Sequence, residues 1–337
     1  MILSLLTGGA YRPVGYLVAA VLAFLLTLFG LVFGRRFLPK DQGREFAVNG
    51  ALSKGKARGA GLILIIALIV AGVLMLPLSL EYVIYFAALF FEMLSGYLDD
   101  ASEKPWGEAI KGVIDFVIAI AVSVTVYVYH GGVINLALIG VSFTMPAWLY
   151  ILLGVILIWA SINVTNCADG VDGVCTSLSL TTLGSALALL LTSVGKLEAS
   201  GFSGTAIYPM ALLVWMSLFV LIAYLWFNCS PSSMLMGDAG SRSLGVLIAL
   251  AFMLTDDPFL FIPCALLLII DGGMGLLKLT VLRVTPFKNF MKNIRTPIHD
   301  HARKNKGWRD TQVVTRFTLL QMLLSAATVL LVWTAAK

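Results

Sequence analysis

The sequence predicts an all-α, polytopic membrane protein of about ten transmembrane helices, and three observations predict it. Hydrophobic residues make up 59% of the 337 positions and charged residues only 12%. That is about half the charged share of a soluble domain, and the mean hydropathy is +0.95. Apolar runs of about 20 residues recur along the chain, each long enough to cross a ~30 Å hydrocarbon core. Finally, lysine and arginine cluster on alternate connections between these runs.

In chain order the runs lie at 14–34, 60–78, 81–98, 112–129, 146–163, 174–193, 207–227, 242–254, 258–280 and 313–334. No separate soluble segment interrupts them, so residues 1–337 read as one integral-membrane domain. The eighth run is short. The ninth contains Gly272, Gly273 and Gly275, where a break is expected. The apolar run after Arg12 is of full membrane length and does not resemble a cleavable signal.

The connections 35–59, 99–112, 163–174, 227–243 and 278–316 hold 7, 2, 0, 1 and 10 basic residues, or 20 of the 23. Arg12, Lys196 and Lys337 fall on the other side. Positive charge concentrates on cytoplasmic loops, so these five connections face the cytoplasm and both termini face outward. The net charge of +5 therefore reports topology and not nucleic-acid binding. Cys167, Cys175, Cys229 and Cys264 show neither metal-ligand spacing nor a disulfide framework. On the outer side, Tyr129–Gly132 and Thr255–Pro258 read as ordinary turns, with His130 interfacial and Asp256 and Asp257 solvated.

Four inner segments carry chemistry. Asp99-Asp100 ends the third run; adjacent carboxylates repel unless a cation lies between them, although a solvated helix terminus would look the same. The turn Asn163–Gly173 packs Asn166, Asp169, Asp172 and two glycines into one short connection. Its carboxylates and amides are hard donors suited to Mg²⁺ or a polar ligand, and the helix that starts there points free N–H groups at an anion. Gly237-Asp238-Ala239-Gly240-Ser241 offers a further carboxylate at a helix start, where it could equally act as a cap. The basic segment 283–310 centres on Pro297-Ile298-His299-Asp300-His301. Zinc would need further ligands, and no thiol is near in sequence; the ten basic residues of the connection 278–316 favour a phosphate partner or proton shuttle. An anionic substrate, a divalent cation and a basic rim are the parts of phosphoryl transfer.

Three acids lie deeper in the runs. Glu92 stands seven residues before Asp99, on the same helical face. Asp115 follows Lys111 by four, a spacing that favours pairing between them. Asp271 lies beside the glycines of the ninth run, as hinge support or groove lining; a charge at that depth must face protein or a cavity.

Taken together, Asp99-Asp100, Asn166-x-x-Asp169-Gly170-x-Asp172-Gly173, Gly237-Asp238-x-Gly240-Ser241 and Pro297-Ile298-His299 resemble the polyprenyl-phosphate N-acetylhexosamine-1-phosphate transferases. Pro-Ile-His-x-His followed by Gly307-Trp308 is similar to the phospho-N-acetylmuramoyl-pentapeptide transferase (MraY) branch of that superfamily. The resemblance runs from about residue 35 to the end. It implies a ten-helix bundle in the bacterial inner membrane, often a homodimer, with a cytoplasmic cleft. There UDP-MurNAc-pentapeptide and undecaprenyl phosphate react with Mg²⁺ to give lipid I and UMP, the first membrane step of peptidoglycan synthesis. By motif position it makes Asp238 a Mg²⁺ ligand, with Asp99 beside it, and gives the lipid phosphate to Asp99 and Asp100. Asn166, Asp169 and Asp172 would hold the uridine diphosphate, His299 would be required in the basic loop with His301 nearby, and Lys111 matches a lysine at the nucleotide. Lys54 or Lys56 aligns with another in the first cytoplasmic loop.

The sequence departs from that pattern at four places. Asp300 replaces the middle of three histidines, Leu235 stands where many members carry phenylalanine, Lys104 is displaced from the Asp pair, and Lys54–Gly61 lacks Thr-Pro-Thr. Two competing functions remain at this level: a GlcNAc-1-phosphate transferase, against which Gly307-Trp308 argues, and a transporter, against which the surface placement of the acids argues.

Overall fold

The computed structural model describes residues 12–43, 53–102, 104, 106–199, 207–287 and 289–335. Arg44, Lys288 and Lys337, counted in the charge balance above, lie outside them, as do the side chains of Arg12 and Lys196.

Helices occupy all ten predicted positions: α1 (Arg12–Gly34), α2 (Gly61–Met75), α3 (Leu80–Ala101), α4 (Glu108–His130), α5 (Ala147–Ala168), α6 (Val174–Ala199), α7 (Ile207–Asn228), α8 (Asp238–Met253), the bent pair α9 (Pro258–Cys264) and α10 (Leu266–Val284), and α12 (Asp310–Ala335). A short α11 (Ile298–Lys306) lies in the basic segment. By length and composition, seven of the described helices can cross a membrane, or eight if the bent pair is one span. The protein is thus a polytopic, all-α membrane protein. Helices α2 and α8, at 15 and 16 residues, are about 22–24 Å long and fall short of the hydrocarbon core. Large apolar side chains such as Leu17, Phe91, Val117, Trp148 and Leu323 stay exposed on the outer helices, a surface that suits lipid and not water.

Local chemistry sets the helix ends. Helix α2 stops at Met75 because Leu76, before Pro77, is driven into extended backbone (ψ 152°) by the proline ring. Helix α3 starts at Ser79, whose hydroxyl accepts the Tyr82 N–H, a standard N-cap. Gly307 ends α11 in the left-handed conformation (φ 68°), and the Trp308 N–H reaches the Ala302 carbonyl. Trp308 then lies under Arg316, 4.2 Å from guanidinium to ring centroid. The Gly307-Trp308 pair therefore has a clear structural use.

Helix α8 is the centre of the bundle, packed by α2, α3, α5 and α6 and buried from Ala239 to Met253. A helix enclosed on all sides needs no full membrane length. Its neighbours approach to backbone distance: a Cβ on Gly96 of α3 would run into the Asp238–Ala239 backbone, and one on Gly61 of α2 into Gly240. Gly96→Ala is expected to destabilise the protein by about 1–3 kcal/mol, the usual range for forced overpacking. Thermal unfolding of the detergent-solubilised variant measures this, and an unchanged midpoint would show that α3 and α8 can part at no cost.

The ninth run bends by 70° between α9 and α10, next to Pro263 and upstream of the predicted glycines. Buried Gln321 of α12 takes up the broken backbone, donating to the Cys264 carbonyl (2.7 Å) and accepting the Leu267 N–H (2.7 Å). Such re-satisfaction is what makes a break tolerable inside a membrane. Gly272 and Gly273 instead belong to a π-helical turn, Ile269–Gly273, and Gly272 lies against the Val164 backbone of α5.

On the far side, the connection between α4 and α5 is no simple turn. Val133–Leu136 and Val141–Thr144 form an antiparallel hairpin, β1–β2. Asp257 is buried and accepts the Ala137 N–H (3.0 Å), which corrects its reading as solvated. His130 pairs with Glu81 (2.7 Å).

Candidate active site

Four helix ends meet at one end of the bundle. Asp99 and Asp100 sit in the last turn of α3, Lys111 in the first turn of α4, Asn166 in the last turn of α5, and Asp238 is the first residue of α8. Lys111 Nζ lies 2.6 Å from Asp99 Oδ2 and 3.2 Å from Asp238 Oδ2, so one ammonium bridges two carboxylates from different helices. The other oxygen of Asp99 accepts the Trp106 N–H (2.6 Å).

Arg58 performs the matching task on the second side. Its Nε donates to Asp100 Oδ1 (2.9 Å), Nη1 reaches Asp41 Oδ1 (3.2 Å), and Nη2 stands 3.9 Å from Asp238 Oδ1. Burial lowers the guanidinium pKa, but Asp100, Asp238 and Asp41 outweigh it and the net shift is upward, so Arg58 stays charged. The sequence reading favoured Lys54 or Lys56 in this loop and missed Arg58.

The turn between α5 and α6 connects three groups. Asn166 Nδ2 donates to Ser241 Oγ (3.0 Å), and its side chain stands beside Asp238. Asp169 caps the end of α5. Asp172 accepts both the Ser232 N–H and hydroxyl at 2.8 Å, with Lys56 Nζ 3.7 Å away. Its two oxygens thus hold the turn after α7 and orient Lys56, only two residues from Arg58. Between them, Gly170 lies directly under the His299 imidazole and leaves no room for a Cβ.

His299 is fixed by Asp271, the buried acid of the π-turn. Asp271 accepts the His299 backbone N–H (2.7 Å) and faces Nδ1 at 2.8 Å. A carboxylate can only accept, so Nδ1 carries a proton, and Nε2, 3.9 Å from Asp300 Oδ1, is turned toward Gly170. Asp271 is therefore neither a bare hinge support nor simple groove lining. His301 faces the other way, its Nδ1 3.4 Å from the Arg295 N–H, and Asp300 lies 3.5 Å from Arg303. Asp115 does not pair with Lys111: it binds Arg242 of α8, which also holds Glu92 at 2.8 Å. At Leu235 the backbone pairs with Ala57 and Ala60, and the side chain is aliphatic.

Among the described residues, no group of three or more His, Cys, Asp or Glu side chains could by itself hold a metal ion. The donor set nevertheless suits Mg²⁺, which uses one or two carboxylates and takes its other ligands from phosphate and water. Asp99 and Asp238 converge on a common point, now spanned by Lys111. The four carboxylates of Asp41, Asp99, Asp100 and Asp238 face the two cations of Arg58 and Lys111, a formal charge of −2, which one divalent cation offsets.

The profile described as "Glycosyl transferase family 4" matches residues 82–256, the stretch holding the Asp pair, the α5–α6 turn and Asp238. Among similar proteins, the phospho-N-acetylmuramoyl-pentapeptide-transferase of Treponema pallidum (strain Nichols) is 33% identical over 318 residues, covering 91% of this chain and 86% of that protein. The proteins of the same name from Helicobacter pylori (strain Shi470) and Desulfotalea psychrophila are 28% and 27% identical, over 90% and 91% of this chain and 89% of each of them. With the acidic cluster, the glycine-lined turn and the histidine loop all inside that shared length, the chain belongs to glycosyl transferase family 4.

Proposed function

We propose that the protein transfers phospho-MurNAc-pentapeptide from UDP-MurNAc-pentapeptide to undecaprenyl phosphate, giving lipid I and UMP. The single observation that carries this reading is the meeting of Asp99, Lys111, Asp238 and Arg58 beside the His299 turn; the names of the curated relatives supply the substrates. In this reading residues 1–337 are one integral-membrane transferase domain with ten membrane-inserted helices. Both termini lie outside the bacterial inner membrane, and the cleft opens to the cytoplasm, as the Lys/Arg bias of the connections favours. A homodimer is part of the same proposal.

The chemistry is an in-line displacement. An oxygen of the lipid phosphate attacks the β-phosphorus of the UDP-sugar. The new P–O–P bond forms as the bond from that phosphorus to the bridging oxygen breaks, and UMP departs with the bridging oxygen. Lys111 and Arg58, already aimed at the carboxylate cluster, offset charge on the phosphates. Asn166 orients Asp238, and Asp172 with Lys56 shapes the nucleotide side together with Asp169. Bound at Asp238 and Asp99, Mg²⁺ would draw the diphosphate and the lipid phosphate together and neutralise developing charge.

The test is UMP release by purified protein with undecaprenyl phosphate and either UDP-MurNAc-pentapeptide or UDP-GlcNAc. Turnover of the first alone is expected. Turnover of UDP-GlcNAc alone would move the protein to the other branch, and vesicle uptake without UMP would make it a transporter. Activity is expected to vanish with EDTA and return with Mg²⁺ or Mn²⁺; full activity in excess chelator would remove the metal from the scheme.

A further inference from the structure

A second ionic cluster lies one to two helical turns along α3, α4 and α8 from the candidate site. Arg242 Nη2 stands 2.8 Å from Glu92 Oε1 and pairs with Asp115 Oδ1, and all three side chains are at most 6% exposed. The spacing is informative. Arg242 follows Asp238 by four residues on α8, Asp115 follows Lys111 by four on α4, and Glu92 precedes Asp99 by seven on α3. Those intervals are one or two helical turns, so each member shares a helix face with one residue of the candidate site. The three helices that meet through Lys111 therefore meet a second time, deeper in.

A helix pinned at one point can still slide or rotate; a second point fixes its register. Close glycine contacts hold α8 against α2 and α3. Helix α4, which delivers Lys111, packs chiefly on α3 and α5, and Asp115 links it directly to α8. Stability alone does not account for the cluster. Buried ion groups can often be replaced by well-packed neutral ones at no loss, whereas removal of one partner is costly. The cluster is also incompletely satisfied, since Arg242 Nη1 has no hydrogen-bond partner among the described residues. Setting register is the best-attested use of such groups.

We propose that Arg242 is a positioning residue: through Glu92 and Asp115 it sets the register of α3 and α4 on α8, so that Asp99, Lys111 and Asp238 converge. The inference rests on the transferase reading of that site. The decisive variant is the triple Arg242→Met, Glu92→Gln, Asp115→Asn, which replaces all three ionisable groups with neutral ones of similar size. It is expected to unfold at or above the wild-type temperature, with kcat lowered about 10- to 100-fold, the cost of a displacement near 1 Å. KM for the UDP-sugar should stay within about twofold, because uniform binding is untouched.

A stable triple variant with wild-type kcat would overturn the proposal, as would a loss confined to KM. If the triple variant fails to fold, Arg242→Lys decides. Its shorter ammonium keeps the charge but cannot span both carboxylates, so lowered kcat at constant KM is expected, and wild-type kcat would overturn the idea. Wild-type protein in the same UMP-release assay separates the two levels: no turnover there defeats the transferase reading, not the register.

Discussion

Asp238→Asn is expected to cut turnover by about 10²- to 10³-fold, the scale on which losing one preorganised charge-stabilising group lowers kcat, while the helical bundle stays folded. The substitution is nearly isosteric, so the first turn of α8 and its approach to Gly96 are kept. What changes is charge. Lys111 loses one of the two carboxylates it bridges, Arg58 loses its more distant partner, and the formal balance of the cluster moves from −2 to −1. A divalent cation and two phosphate-bearing substrates would then meet a site one negative charge short and lacking its central ligand. UMP release at saturating substrates measures the loss, and thermal unfolding checks the bundle. A folded variant with normal turnover would remove Asp238 from the reaction.

The sequence was legible wherever the signal was local. Each apolar run became a helix because length and hydrophobicity are properties of a short window. Asp99 and Asp238 were put side by side only through the motif resemblance, which left Lys111 at the nucleotide; that its ammonium bridges the two carboxylates had no local signal. Arg58 escaped because it lies 42 residues before Asp100 in sequence, and no spacing rule links a loop arginine to a distant helix end. Asp271 was seen as unusual, but its partner His299 is 28 residues further on. The ion cluster at Arg242 had a signal that went unused. Arg242 is a cation at the start of an apolar run, and two acids, Glu92 and Asp115, lie within other runs, a combination that membrane burial tolerates only when the charges pair. Asp115 was given to Lys111 on i,i+4 spacing, a weak preference of about 0.2–0.5 kcal/mol that the buried guanidinium overrides. The bend in the ninth run came at Ala265 and not at the glycines; Gln321, which takes up the Cys264 carbonyl and the Leu267 N–H left there, is on another helix and leaves no local signal.

His299→Ala is expected to lower turnover by about 10²-fold or more, the lower end of what a positioned acid–base group contributes, whereas His301→Ala should change it only a few-fold. The two histidines share a short helix, but their surroundings differ. His299 is buried, its Nδ1 proton is committed to Asp271, and its Nε2 is aimed over Gly170 at the turn that also carries Asn166 and Asp169. There it can meet a phosphate oxygen with a fixed nitrogen. His301 is only half-buried and meets a backbone N–H of its own loop, a contact that orders the loop without facing the carboxylates. Asp271→Asn separates orientation from chemistry. An amide can still accept one of the two N–H groups, so the loop stays in place, but the tautomer is no longer enforced. That variant should fall between the two histidine variants in kcat, with KM for the UDP-sugar little changed, in the same UMP-release assay. If His301→Ala proves more damaging than His299→Ala, the imidazole over Gly170 is not the one that meets the substrate, and α11 must present a different face to the cleft when substrates bind.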